Sequence, residues 1–224
     1  MWWALASLCV CACGRIGFDV TTDGGSSSGD GNSGDGSTTD GGTDGCIGAL
    51  PATTFPGGLP CANWGGAATF TNAGLSESNG TLSITPNVNS AGAVGRCQHD
   101  GVTIGAGGAF TEVSGVLAGT SSTTRLEIDW GGVTYYLGAS NGTMRAGNTS
   151  GLTFTGGNIE RWWRFRPNSG QLLFESSPDG AAWRMFASVG GVPTGLAIVR
   201  VVAATPMAEA APGVARFESV NVCP

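Results

Sequence analysis

The chain has 224 residues, of which 40 are Gly and only 12% are charged. Gly at more than twice its ordinary share of about 7% marks a linker-bearing or turn-dense β protein. The net charge is −6 and all ten basic residues are scattered Arg, which argues against nucleic-acid binding and removes the lysine-dependent kinases, Walker ATPases and Schiff-base enzymes.

Residues 2–12, WWALASLCVCA, form an uncharged run, about half the ~20 residues needed to span a bilayer. Its length and small-residue end are those of a secretory h-region. No Arg or Lys precedes it, which places the expected translational start upstream of Met1. The segment Val10-Cys11-Ala12-Cys13 resembles the bacterial lipobox, with Val10 at −3, Ala12 at −1 and Cys13 at +1. Cleavage before Cys11 would leave bulky Val10 at −1. The resemblance implies a signal peptide over 1–12 and fatty acylation of Cys13, palmitate included. The continuation Gly14-Arg15-Ile16-Gly17-Phe18-Asp19 is similar to the start of δ-proteobacterial lipoproteins. Gly14 is not the Asp that retains lipoproteins at the inner membrane of enteric bacteria, so the anchor is expected in the outer membrane.

Residues 13–45 read as the tether. Within it, 21–45 hold nine Gly, five Asp, five Ser, five Thr and one Asn, with no apolar residue. Such a segment has nothing to bury and is expected to be disordered, with a root-mean-square span of roughly 25–30 Å. Gly29-Asp30-Gly31-Asn32-Ser33-Gly34 fits the dinucleotide pattern G-x-G-x-x-G. No strand precedes it, however, and its Asp would repel a pyrophosphate. No run meets the calcium-loop template either. Six acids lie in or beside the tether, leaving ten acids against nine Arg in residues 46–224; the folded part is nearly neutral.

Residues 46–224 read as β throughout. Short runs bounded by Gly, Asn or Pro recur at 81–85, 91–98, 109–118, 124–130, 132–138, 143–147, 161–166, 171–177, 182–187, 195–204 and 214–222. Strands this short and this evenly spaced predict an all-β, two-sheet antiparallel β-sandwich. Alternation places Leu126, Ile128 and Trp130 on one face, with Arg125, Glu127 and Asp129 on the other. Trp163 and Phe165 likewise oppose Trp162, Arg164 and Arg166. Since one face of each strand goes to the core, Arg164, Arg166 and Glu175 are expected to form a cross-strand charge set on the outside. Three Asn-x-Ser/Thr sequons occur at Asn79, Asn141 and Asn148; Asn79-Gly80 and Asn141-Gly142 read as type I′ hairpin turns rather than as glycan acceptors.

The run Arg161-Trp162-Trp163-Arg164-Phe165-Arg166, a Gly turn, then Phe174-Glu175-Ser176-Ser177-Pro178-Asp179-Gly180-Ala181-Ala182-Trp183 resembles the concanavalin A-like lectin/glucanase superfamily, laminin-G-like modules in particular. The strand 214–222 is similar to that superfamily's last strand, and Phe55-Pro56-Gly57-Gly58-Leu59 with Trp64 to its opening. The resemblance implies a jelly roll in which Trp183 fills the sandwich. It implies no activity, because this fold carries lectins, hydrolases and structural modules alike.

With Cys9 and Cys11 in the signal and Cys13 acylated, Cys46, Cys61, Cys97 and Cys223 remain. In an oxidising compartment four thiols predict two disulfides with three possible connectivities. The jelly roll implied by the resemblance brings terminal strands together, which favours Cys46–Cys223 and leaves Cys61–Cys97. A zinc site is not expected, for no C-x-x-C occurs.

Catalysis has few candidates. His99 is the single histidine, there is no G-x-S-x-G elbow, and it reads as an exposed loop residue. Glu127-Ile128-Asp129 resembles the E-x-D-x-x-E or E-x-D-x-E strand of glucanases on this fold, where alternate carboxylates act as nucleophile, helper and general acid. Here the third position holds Gly131 or Gly132. Glu175 is expected to pair with Arg164 or Arg166, which makes it a poor proton donor. The expectation is therefore a non-catalytic, lipid-anchored envelope protein, monomeric, without metal or cofactor, binding a polysaccharide or an envelope protein. Trp162, Arg164, Arg166, Glu175 and Trp130 are the candidate ligand-binding residues. The alternative is a divergent glycoside hydrolase using Glu127 and Asp129.

Overall fold

The computed structural model describes residues 53–64 and 66–222. The expected signal peptide over 1–12, the expected tether of 13–45 with acylation at Cys13, and the expected Cys46–Cys223 bridge lie outside the described residues. In chain order the strands are β1 (Thr53–Thr54), β2 (Ala67–Thr71), β3 (Ala73–Ser78), β4 (Thr81–Pro86), β5 (Ala93–Val102), β6 (Ala109–Gly115), β7 (Thr123–Trp130) and β8 (Val133–Ser140). They continue as β9 (Thr143–Asn148), β10 (Thr153–Thr155), β11 (Trp162–Asn168), β12 (Gln171–Ser177), β13 (Arg184–Gly190), β14 (Ala197–Thr205) and β15 (Ala215–Val222). A single 3-10 turn, Ala62–Trp64, is the one helical element among the described residues.

The strands form two antiparallel sheets. One has the order β13-β12-β11-β6-β15-β4-β3, with β1 also paired to β15; the other runs β10-β9-β8-β7-β14-β5-β2. The period-2 patterns put one row of each strand between the sheets. Trp163, Phe165, Phe174, Phe217, Leu82 and Ile84 come from the eight-stranded sheet; Leu126, Ile128, Leu137, Met144, Val199 and Val201 from the seven-stranded one. All are buried, and each large side chain removed from water contributes about 1.5–3 kcal/mol. Phe165 and Phe174 meet edge to face with centroids 5.2 Å apart. The fold is the expected all-β sandwich, and every one of the eleven expected strands is present.

Two-residue turns set the register of several hairpins. Asn79-Gly80 joins β3 to β4 with φ of 50° and 81°, and Asn141-Gly142 joins β8 to β9 with φ of 49° and 72°. Both residues of each pair are left-handed, as a type I′ turn requires. At the third sequon, Asn148 Oδ1 accepts hydrogen bonds from the backbone N–H groups of Ser150 and Leu152, so this side chain too closes a turn.

Four strands, β1, β2, β3 and β10, were not among those expected. Two further expectations are corrected. His99 is not an exposed loop residue: it is half-buried on β5, with its ring centroid 5.9 Å from that of Trp64. Trp183 does not fill the sandwich. It precedes β13 and lies on the outer face of the eight-stranded sheet, its ring 4.0 Å beneath the Arg164 guanidinium and against Phe110. Cys61 and Cys97 are joined by a disulfide, their Cα atoms 5.5 Å apart. The bond ties the segment ahead of β2 to the middle of β5.

Candidate functional site

The expected charge set assembles on the outer face of the eight-stranded sheet. β11 and β12 pair so that Arg164 stands opposite Glu175, with Arg166 two residues along. Arg164 Nε donates to Glu175 Oε2 at 2.7 Å, and Arg166 Nη2 donates to Oε1 at 2.8 Å. The Glu175 side chain is only 5% exposed. Burial lowers the Arg164 pKa, and the Glu175 carboxylate counters that shift. Trp162 lies beside Phe110, and the Asp179-Gly180 turn closes over its indole: a Cβ on Gly180 would sit 2.9 Å from the ring. Asp179 fixes that turn by accepting from the N–H groups of Ala182 and Ala181 and from the Ser177 hydroxyl. These donors, the Ala182 N–H foremost, hold its carboxyl below the usual carboxylate range. Here the two arginines are spent on one carboxylate and the half-buried indole is partly covered by the Gly180 backbone. Trp162, Arg164, Arg166 and Glu175 thus form a packed plate with little left to offer a ligand.

Trp130 lies on the opposite sheet. It is 4% exposed and donates from Nε1 to the Gly195 carbonyl, so it serves as core at the end of β7. With Tyr135, Val192 and Pro193 it forms the floor of an open depression of 390 Å³. Burial also raises the Tyr135 pKa.

The outer face of the seven-stranded sheet carries the Glu127 and Asp129 carboxylates. The registers of six strand pairs build it in rows. One row runs Ala67, Gln98, Arg200, Glu127, Tyr136, Gly147 and Thr153; the next runs Thr69, Arg96, Val202, Arg125, Gly138, Arg145 and Thr155. Glu127 and Asp129 both face outward here, and each meets an arginine. Arg125 Nη2 is 2.9 Å from Glu127 Oε1, and Arg200 Nη2 is 3.6 Å from Asp129 Oδ2. Arg200 Nε also donates to Gln98 Oε1 at 2.8 Å. Beside them Arg125 lies over the Tyr136 ring at 5.6 Å. A depression of 130 Å³ is lined by Thr123, Arg125, Tyr136, Ser140 and Arg145, with Gly138 at its floor.

The glucanase-like third position has a definite structural fate. Gly131 and Gly132 are the two turn residues between β7 and β8, with φ of 62° and 78°. The strand that carries Glu127 and Asp129 ends at Trp130, so no side chain of β7 follows Asp129 on that face. Glu175 cannot take the vacant role, because it lies on the other sheet. Among the described residues no group of three or more His, Cys, Asp or Glu could hold a metal ion.

No protein-family model matches the chain, and no curated protein matches it. Solved structures do. The catalytic domain of an endo-1,3-beta-glucanase (laminarinase) from Thermotoga petrophila RKU-1 superposes with a TM-score of 0.52 at 8% identity, covering 78% of this chain and 96% of that one. The laminarinase catalytic domain from Thermotoga maritima MSB8 gives 0.51 at 9% identity, with the same coverage of 78% and 96%. At such identity the likeness is one of fold: a jelly-roll sandwich.

Proposed function

We propose that this chain is a lipid-anchored, non-catalytic protein of the cell envelope whose sandwich binds a glycan on the outer face of the seven-stranded sheet. The observation that carries the reading is the Gly131-Gly132 turn. Retaining glycoside cleavage needs one carboxyl that keeps its proton and a second, ionised one about 5–5.5 Å away across the scissile bond. Glu127 and Asp129 share one strand and point the same way, and each is matched by an arginine cation. The position from which a third carboxylate would come is a left-handed turn that favours glycine. The rows around Tyr136 offer hydroxyls, guanidinium groups and one half-buried ring, a polar surface suited to sugars. The large exposed apolar side chains, Leu59, Phe70, Val88, Met185, Leu196 and Met207, are absent from these rows, which argues against an apolar protein interface.

Incubated with laminarin and other β-glucans, the mature protein is expected to release no reducing ends, and Glu127→Gln is expected to leave glycan retention intact, because it removes no donor from the face. Reducing ends that disappear in Glu127→Gln would establish the hydrolase instead. The anchor has its own test. Cys13→Ser should abolish partitioning into the detergent phase; a variant that still partitions would refute acylation at Cys13.

A further inference from the structure

We propose that the row Arg96–Arg125–Arg145 makes this face specific for an acidic polysaccharide, with carboxylate or sulfate groups seated on the arginines; this rests on the glycan-binding reading above. The three arginines stand on β5, β7 and β9, alternate strands of one sheet, with Val202 of β14 and Gly138 of β8 between them in register. Strands lie about 4.8 Å apart, so the arginine backbones repeat at about 10 Å along a straight line across the sheet. Val202 and Gly138 are the residues that stand between them in register. Val202 is buried, and a Cβ on Gly138 would fall 2.1 Å from the Thr124 carbonyl oxygen, so that position is closed to any side chain.

The cations of this row are under-used. Arg96 and Arg145 have no carboxylate partner among the described residues. Arg125 pairs with Glu127 through Nη2, yet its Nε is buried without a hydrogen-bond partner, and so is Thr123 Oγ1. Both residues line the 130 Å³ depression that Arg145 borders. A buried polar atom left unpaired is costly. An anionic group seated over Gly138 would lie among Arg125, Arg145 and Thr123, the side chains that line the depression. Guanidinium groups present planar donor pairs that match carboxylate and sulfate, and Tyr136 in the adjacent row supplies a ring face for the sugar. The opposite face differs in kind: there Arg164 and Arg166 converge on Glu175, Arg161 on Glu112 and Arg184 on Glu160.

The test is calorimetric titration of the mature protein in detergent with three probes: hexagalacturonic acid, which bears only carboxylates, a dextran sulfate hexasaccharide, which bears only sulfates, and neutral laminarihexaose. At least one acidic oligosaccharide should bind, more weakly as salt rises, and the stronger of the two identifies the anionic group as carboxylate or sulfate. Arg145→Gln and Arg96→Gln should each weaken that binding about tenfold, since each removes charge-assisted hydrogen bonds. Arg216→Gln, the same charge change on the other sheet, should leave it unaltered. Binding of laminarihexaose alone would overturn the acidic specificity while leaving the glycan-binding reading intact. Silence from all three probes would overturn both. Acidic binding indifferent to Arg145→Gln and Arg96→Gln would reject this row as the site. Retention on vesicles of phosphatidylcholine and phosphatidylglycerol, without oligosaccharide binding, would assign the row to a lipid surface and overturn the proposal.

Discussion

Trp163→Ala is expected to lower the free energy of unfolding by about 3–5 kcal/mol, the range for removing a large aromatic from a closed core. Trp163 is fully buried between the sheets, and its Nε1 donates to the Glu160 carbonyl, so the truncation leaves both a cavity and an unpaired acceptor. Trp183→Ala is the matched comparison. That ring is half-buried on the outer face, held by one cation–π contact with Arg164 and one aromatic neighbour, and its loss should cost only about 1 kcal/mol. Chemical denaturation of both variants, with the midpoint and slope fitted separately, decides the matter. Equal losses would mean that the two tryptophans share one core.

Replacing Cys61 and Cys97 together by Ser should cost about 4 kcal/mol. The bond closes a loop with a sequence separation of 36, and the loop-entropy relation gives that magnitude for an unfolded chain released from such a constraint. Both sulfur positions are buried, so the native protein should resist thiol reagents until it unfolds. The bond also holds a strained corner: Cys61 has φ of 69°, and its N–H donates to the buried Glu77 carboxylate. A double variant as stable as the parent would show that Phe55, Trp64 and this carboxylate hold the segment without the bond.

The long strands were legible because their alternation is strong. In β7 the burial pattern is strictly half-buried then buried for eight residues, as the hydrophobic spacing predicts. β2 and β3 were not, for a physical reason. β2 is an edge strand exposed along most of its length, and such a strand has no buried row to imprint a period on the sequence. Trp183 was misplaced because its position came from the family resemblance alone, whereas in this chain it precedes β13 and packs on the outer face against Arg164 and Phe110. Trp130 carried its own answer. The parity that groups it with Leu126 and Ile128 makes it a core residue, and the alternative of a sugar-stacking ring yields to that. The Arg164–Glu175–Arg166 set could be read from one hairpin. The row of Arg96, Arg125 and Arg145 could not, because it exists only once β5, β14, β7, β8 and β9 are laid side by side. Those pairings join residues as far apart as Arg96 and Val202, and sequence spacing does not report them.

The Asn-Gly turns give the molecule a chemical lifetime. In this dipeptide the following backbone nitrogen is unshielded by a side chain, so it can attack the Asn amide, expel ammonia and form a succinimide that hydrolyses to aspartate or isoaspartate. Asn79 and Asn141 are both exposed at hairpin tips. Isoaspartate adds a methylene to the backbone of a turn with only two residues, disturbing the register by which Ser140 faces Thr143. The β8–β9 hairpin beyond that tip carries Gly138 and Arg145. Ageing at Asn141 would therefore place a new negative charge, and a shifted strand pair, at the edge of the depression where this surface is most cationic.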